Sequence, residues 1–419
     1  MSTSVLEDFE QRGLVADVTT PVELGAHLTG AVRTIYVGFD PTADSLHVGS
    51  LVPLLALRRI QRAGHRPIVL VGGGTGLIGD PAGKAGERAL NAAEQVAAWA
   101  DRLKAQVRPF LDFDRGPHAA ILVDNYEWLS RLELVPFLRD IGKHFSVGAM
   151  VARESVRNRL GAGISYTEFS YQVLQAYDFL ALHERHGCTL QMGGSDQWGN
   201  ITAGTELIRR VRGAAAYGLT VPLVTKGDGT KFGKTEGGNI WLDPSRTSAY
   251  EMYQFWLNTA DADVGRFLRY FTFLSPVEID DLIRQSQAAP EKREAQRVLA
   301  AEVTQLVHGE AARQEAERTT QRAFDDDIGW VFEGDAGDVP GAVLPALEAP
   351  RPVWRVLKDA GIAPSTSEAR RLIQQGGVEV NRQRVRDLDE TLGVGRYAIK
   401  VGKRRVYRVV IEAPGDAKN

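Results

Sequence analysis

A single cysteine, Cys188, in a chain of 419 residues excludes a disulfide framework and any zinc site built from thiolates. It stands between Gly187 and Thr189 ahead of an apolar run, the setting of an inert core thiol. Hydrophobic runs of membrane-spanning length are also missing, so no membrane partner is expected. The opening residues, MSTSVLEDFEQRG, are acidic and lack the basic-then-apolar order of a secretory signal, which makes the cytoplasm the expected compartment. There are no internal repeats and no low-complexity tracts. The glycine stretch GGGTGLIGDPAGK, 72–84, has the spacing of neither a Walker A loop nor a dinucleotide fingerprint, which argues against a nicotinamide-dependent oxidoreductase. Net charge is small, -3, but it is unevenly spread. Residues 351–410 hold 14 Lys or Arg against 6 Asp or Glu, a surplus of +8, while the first 350 hold 35 against 45, a deficit of -10. A basic module on an acidic body points to a polyanionic partner at one end; solubility alone is the competing explanation.

What is present is ordinary globular material, 43% hydrophobic and 25% charged, in a chain long enough for more than one core. After a leading helical segment, with Pro21 as a helix start, the stretch 34–61 organises the rest of the chain. Ile35 to Phe39 reads as a buried strand, and from Leu51 to Ile60 leucines recur three and four apart, as on a helix. Between them stand His47 and Gly49 at the helix start, where unpaired N–H groups favour a phosphate. Further strands are expected at Pro67–Val71, Ala119–Val123, Leu190–Gly193 and Leu219–Val224. Helices are expected at 86–107, 131–141, 149–160, 165–187 and 201–211. That alternation predicts an α/β domain with a mostly parallel sheet and helices on both faces. From 245 to 323 the pattern is helical throughout. Residues 325–350, rich in acid, Gly and Pro, read as a linker. Beyond them, two short helices and strand-like alternation form a small basic α+β module.

Three features converge on phosphate chemistry: His47, the glycine stretch ending in Lys84, and Lys231 with Lys234 in KGDGTKFGKTEGG. Transfer at a nucleotide's phosphates needs positive charge and donors that tighten as charge develops, and glycines beside lysines suit a loop that closes on substrate. A second set, Tyr36, Asp80, Tyr171, Gln175, Asp178, Asp196 and Gln197, lies on or beside apolar elements. On one cleft these would suit a ligand with an ammonium and a hydroxyl. Core residues with satisfied hydroxyls are the plainer explanation for Tyr36 and Tyr171.

Taken together, FDPTADSLHVGS, GLIGDPAGK, DNYEW, SYTEFSYQVLQAYDF, GSDQWGN and KFGKT resemble the bacterial tyrosyl-tRNA synthetases, in the right order over nearly the whole chain. His47-Val48-Gly49-Ser50 is similar to the class I "HIGH" element, with Ser50 where a histidine or asparagine is usual. Lys231-Phe232-Gly233-Lys234-Thr235 is similar to the "KMSKS" loop. The resemblance implies a Rossmann-like class I catalytic domain at 1–240, a helical anticodon-recognition domain at 245–323, the linker at 325–350 and an RNA-binding domain at 351–419. It implies that Tyr36 and Asp178 bind a phenolic hydroxyl and that Asp80, Tyr171 and Gln175 hold the ammonium, with Asn125 and Gln191 lining the pocket. Gly38, Asp40, Gly49, Gly193, Asp196 and Gln197 would hold the adenylate. Thr42, His47, Lys84, Arg88, Lys231 and Lys234 would meet the phosphates. The implied substrates are L-tyrosine, ATP with Mg2+ and tRNA(Tyr), on a homodimer with no protein-ligated metal and no DNA partner. The rival readings are a synthetase for another aromatic amino acid and a non-catalytic RNA-binding protein of the same fold.

Overall fold

The computed structural model of the protein describes residues 4–82, 91–114, 116–161, 163–225, 232–235, 238–322, 341–344, 350–402 and 405–412. The chain opens with α1 (Val5–Arg12), β1 (Asp17–Val18), α2 (Pro21–Gly30), β2 (Thr34–Phe39), α3 (Leu51–Arg62) and β3 (Arg66–Val71). It continues through α4 (Ala93–Val107), β4 (Ile121–Asp124), α5 (Tyr126–Leu129), α6 (Leu134–Asp140), α7 (Val147–Val151) and α8 (Glu154–Leu160). Then come α9 (Tyr166–His186), β5 (Cys188–Gly194), α10 (Trp198–Arg212) and β6 (Tyr217–Val221). Local chemistry sets several of these ends. Pro21 is the first residue of α2, where its missing N–H costs nothing. Ser165 caps α9 by accepting from the Glu168 N–H, and Gly187, at φ 62°, closes it in the left-handed conformation.

Six strands form one sheet in the order β1-β6-β5-β2-β3-β4, parallel throughout except for the antiparallel edge pair β1–β6. Every β3 residue from Pro67 to Val71 is buried, as expected of a strand covered on both faces. The chain order reverses between β2 and β5, which lie side by side with Tyr36 in register with Gln191. Such a switch point opens a crevice beyond the carboxyl ends of the strands. The residues just past β2, β3, β4 and β5 therefore gather there.

The chain then forms a two-stranded hairpin, β7 (Lys234–Thr235) with β8 (Gly238–Asn239), and helices α11 (Ala249–Leu257), α12 (Asp261–Phe271), α13 (Pro276–Ala288), α14 (Glu294–His308) and α15 (Glu310–Arg322). After β9 (Gly341–Leu344) come β10 (Arg351–Pro352), α16 (Val353–Asp359), α17 (Thr366–Gln374), β11 (Val378–Val380), β12 (Gln383–Arg384), β13 (Thr391–Leu392), β14 (Gly395–Val401) and β15 (Arg405–Ile411). One compact unit comprises residues 1–232, 241–243 and 262–284; the other comprises 233–240, 244–261 and 285–419. In the second unit α11 packs on α14 and α15, with Trp256 fully buried. There too α16 and α17 cover a sheet of order β12-β11-β14-β15-β9, around a core including Val356, Leu357, Ile373, Val378, Ile399 and Val409.

Several boundaries differ from expectation. The strand expected to reach Val224 ends at Val221, because Pro222 has no N–H to donate to a ladder. The helix expected over 149–160 is two helices, broken where Arg153 takes an extended backbone. The segment read as linker contains β9, which pairs in parallel with β15; its other residues up to 349 lie outside those described. The helical stretch also divides between units, since 262–284 pack with the first. There Arg12 donates to the carbonyls of Arg269 (3.4 Å) and Leu274 (2.8 Å), and Arg59 donates to that of Thr272, so two guanidiniums cap the C-terminal end of α12.

Candidate active site

The crevice at the switch point holds a hydrogen-bonded network drawn from β2, β5, α9 and the loops after β3 and β4. Asp178 on α9 is almost fully buried. One carboxylate oxygen accepts from Asn125 Nδ2 at 2.9 Å, the other from Trp128 Nε1 at 2.7 Å. Burial pushes its pKa up to about 8 even though both donated bonds favour the carboxylate. Tyr36, 1% exposed, packs edge-on against Phe179, and its hydroxyl has no hydrogen-bond partner among the described residues. Burial first, then the Asp178 charge, holds that hydroxyl protonated, its pKa raised well above the ordinary value. An unpaired buried hydroxyl costs about 1–3 kcal/mol. A ligand hydroxyl placed between Tyr36 and Asp178 would recover it.

Asn125 ties this corner to the next. It accepts from the Gly74 N–H at 2.7 Å and donates to Thr75 Oγ1 at 2.9 Å; Thr75 in turn donates to Asp40 at 2.7 Å. Tyr171 donates to the other Asp40 oxygen at 2.7 Å. A Cβ on Gly72 would stand 1.9 Å from Asp40 Oδ1, so only glycine leaves room for that carboxylate. Tyr171, expected beside the ammonium, thus bonds Asp40, and Asp40, expected at the adenylate, is a hub of this network.

Asp80 accepts from the Ala82 N–H at 2.9 Å and from Gln197 Nε2 at 2.7 Å. Burial lifts its pKa to about 6 against those two bonds, with Asp40 and Asp196 adding to the rise. Gln197 also donates to Asp196 (3.2 Å) and accepts from Asn200 (3.2 Å), which reaches Gln175 Oε1 at 2.9 Å. Gln191 on β5 is buried, its Oε1 without a partner among the described residues. Gly38 and Gly193 lie on β2 and β5.

His47 and Thr42 are exposed at the start of the loop-to-helix passage. His47 Nδ1 accepts from the Gly49 N–H at 3.0 Å, which leaves Nε2 to carry the proton of the neutral ring. A Cβ on Gly49 would meet that ring at 2.7 Å, so the glycine permits the fold-over. The backbone of His47 pairs with that of Trp241 in an antiparallel bridge. Lys84, Arg88 and Lys231 lie outside the described residues, and only the backbone of Lys234, in β7, is described. Sequence reasoning missed Trp128 and Asn200 as site residues, although both stand inside the motifs DNYEW and GSDQWGN.

Residues 30–325 match the family described as class I tRNA synthetases (W and Y), and residues 353–396 match the S4 domain. The chain is 53% identical over 416 residues to the tyrosine–tRNA ligase of Bacillus caldotenax, covering 97% of this chain and 99% of that one. It is 50% identical over 419 residues to that of Chromobacterium violaceum, with the same coverage. Among solved structures it is similar to a C-terminally truncated mitochondrial tyrosyl-tRNA synthetase of Aspergillus nidulans. That match has a TM-score of 0.71 and 31% identity over 77% of this chain and 95% of the other.

Proposed function

This chain belongs to the class I tRNA synthetases of the tryptophan and tyrosine family, and we propose that it activates L-tyrosine with MgATP and transfers the tyrosyl group to tRNA(Tyr). The observation that carries tyrosine is the pair formed by the Tyr36 hydroxyl, unpartnered among the described residues, and the buried Asp178 carboxyl group. A phenol can donate to Asp178 and accept from Tyr36 at once. An indole N–H only donates, and phenylalanine does neither.

In the first step a tyrosine carboxylate oxygen forms a bond to the α-phosphorus of ATP while the bond to the β-phosphate's bridging oxygen breaks, releasing pyrophosphate. The carboxylate is already ionised at neutral pH, so no general base is required. His47, through its Nε2–H, and Thr42 act as donors to phosphate oxygens. Lys84, Arg88, Lys231 and Lys234 supply positive charge as the pyrophosphate leaves. Asp80 and Gln175 hold the ammonium, with Tyr171 oriented beside them by Asp40; Asn125 and Gln191 support the pocket floor. Gly38, Gly49, Gly193, Asp196 and Gln197 border the adenylate. In the second step a hydroxyl of the tRNA's terminal adenosine attacks the activated carbonyl, and AMP leaves. Pyrophosphate exchange measured with each proteinogenic amino acid in turn tests the reading: exchange with tyrosine alone is expected, and tryptophan-dependent exchange would overturn it.

The S4 module at 353–396 supports RNA binding, with Arg355, Lys358, Arg371 and Arg384 all more than half exposed. The helix α6, of sequence LVPFLRD, buries none of its residues and leaves Leu134 70%, Val135 74% and Leu138 46% exposed. An apolar helix face left in water needs a covering surface. A second copy of this chain fits that need, as a homodimer. No helix among the described residues is long and apolar enough to cross a membrane. The cytoplasm, where tRNA and ATP meet, is the proposed location.

A further inference from the structure

The motif DNYEW supplies Asn125 and Trp128 to the site, but its first residue, Asp124, takes no part in the proposed reaction. Asp124 ends β4, and its carboxylate is held in three ways. Oδ1 accepts from the Tyr126 N–H at 3.0 Å, which ties it to the first residue of α5. Oδ2 lies 2.9 Å from Nζ of Lys104, on α4. The carboxylate also lies against the loop after β3, where a Cβ on Gly73 would stand 2.3 Å from Oδ1. The ion pair is shielded, with 16% of the Asp124 side chain and 29% of the Lys104 side chain exposed. Lys104 meets Asp101 as well, at 3.0 Å, but that acid is 79% exposed and its pull is screened by water. The helix α5 is a single turn, Tyr126–Leu129, too short to hold its own shape. Its place is set by what grips its start. From that start Asn125 Nδ2 and Trp128 Nε1 reach the two oxygens of Asp178, at 2.9 and 2.7 Å. Asp124 is also a charge felt at Asp178: burial raises the Asp178 pKa most, and the charges of Asp40 and Asp124 add to the rise. Lys104 offsets the second of these charges.

We infer that Lys104 is a positioning residue for recognition of the substrate's hydroxyl: through Asp124 it fixes the start of α5, and with it the two donors that hold Asp178. The inference rests on the reading of Tyr36 and Asp178 as the hydroxyl-binding pair. Removing one partner of a shielded ion pair leaves the other charge uncompensated. Without Lys104 the Asp124 carboxylate turns toward water and draws the start of α5 with it. A displacement of about 1 Å in a binding group can cost about 10²-fold in rate. That loss falls on tyrosine, which uses Asp178, and spares phenylalanine, which has no hydroxyl to offer it.

The test uses the full chain carrying Lys104→Met, Asp124→Asn, both together, or Lys104→Arg, with Tyr36→Phe and Asp178→Asn as controls on the hydroxyl pair. For each, kcat/KM in pyrophosphate exchange is measured with tyrosine and with phenylalanine. Lys104→Met keeps the apolar stem and is expected to lower the tyrosine value about tenfold while phenylalanine stays within about twofold, so the ratio narrows about tenfold. Lys104→Arg keeps the charge and should restore most of that ratio. Asp124→Asn keeps an oxygen for the Tyr126 N–H but removes the charge that Lys104 offsets. The double variant should therefore match Asp124→Asn within about threefold, the non-additivity of two groups acting as a pair. That comparison also serves if Lys104→Met alone fails to fold. An unchanged ratio in Lys104→Met beside a narrowed one in the controls would overturn the positioning role alone. Equal losses for both amino acids, or additive losses in the double variant, would reduce Lys104 to an ordinary surface support. A ratio unchanged in Tyr36→Phe and Asp178→Asn would overturn the reading of the hydroxyl pair itself.

Discussion

At Tyr36 and Asp178 the protein holds hydrogen-bonding groups in a buried place where no described residue satisfies the phenol. Sites built this way reject a ligand lacking the matching hydroxyl by roughly 10⁴- to 10⁵-fold, because the buried groups stay unpaired. Tyr36→Phe should narrow the ratio of kcat/KM for tyrosine over phenylalanine by about tenfold, the worth of one hydrogen bond. Asp178→Asn should narrow it further, since it also disturbs the bonds from Asn125 and Trp128. An unchanged ratio in both would remove the pair from recognition. Asp80 carries a second expectation. With its pKa lifted to about 6 by burial, it is neutral below that pH and cannot pair with an ammonium. Tyrosine affinity should therefore fall as pH drops through about 6, and in Asp80→Asn it should be weak and nearly pH-independent, as read by equilibrium dialysis. Stability of the empty protein runs the other way. A carboxyl whose folded pKa lies above its unfolded value favours the fold at low pH, and that contribution is lost as pH rises through about 6.

In α6, sequence and burial disagree. LVPFLRD has the composition of a packed helix, yet none of its residues is buried. Changing Leu134 and Val135 together to Glu should leave the monomer's fold intact, because exposed positions tolerate charge. It should also shift the mass measured by light scattering toward a single chain. A wild-type protein already monomeric at micromolar concentration would sink the homodimer. The helix α9 shows the opposite case, with pattern and structure in accord. Tyr171, Gln175 and Asp178, four and three apart, were expected on one face. Each reaches a site partner: Asp40, Asn200 and the Asn125–Trp128 pair.

For the whole molecule, the basic module past residue 350 and the acidic body before it are separate parts of one charge pattern. Phosphate contacts dominate nucleic-acid affinity and make it salt-dependent. A chain ended near residue 340 should still form tyrosyl-adenylate but charge tRNA poorly, with a shallower dependence of tRNA binding on salt. The cut belongs before Gly341, because β9 pairs with β15 and would be left as an unpartnered strand by a later one. Full charging by the shortened chain would show that the basic surface serves solubility alone. Lost adenylate formation would show that the catalytic body needs the module.

Periodicity and local chemistry were enough to read the strand–helix alternation, the helical stretch and the basic end. Apolar spacing, caps such as Ser165 and breakers such as Gly187 act within a few residues of chain. Tyr36, Asp80 and Asp178 were legible as site candidates because a polar residue on an apolar element is conspicuous wherever it stands. The partner of each polar group was not legible. That Tyr171 bonds Asp40, that Asn125 and Trp128 hold Asp178, and that Asn200 links Gln197 to Gln175 depends on which strands adjoin at the switch point between β2 and β5. The same holds for β9, four residues in an acidic, glycine-rich stretch that become a strand only because β15 offers an edge. Local pattern selects an element from neighbouring residues, whereas a hydrogen bond between residues 131 positions apart, as from Tyr171 to Asp40, exists only once the sheet has closed the distance.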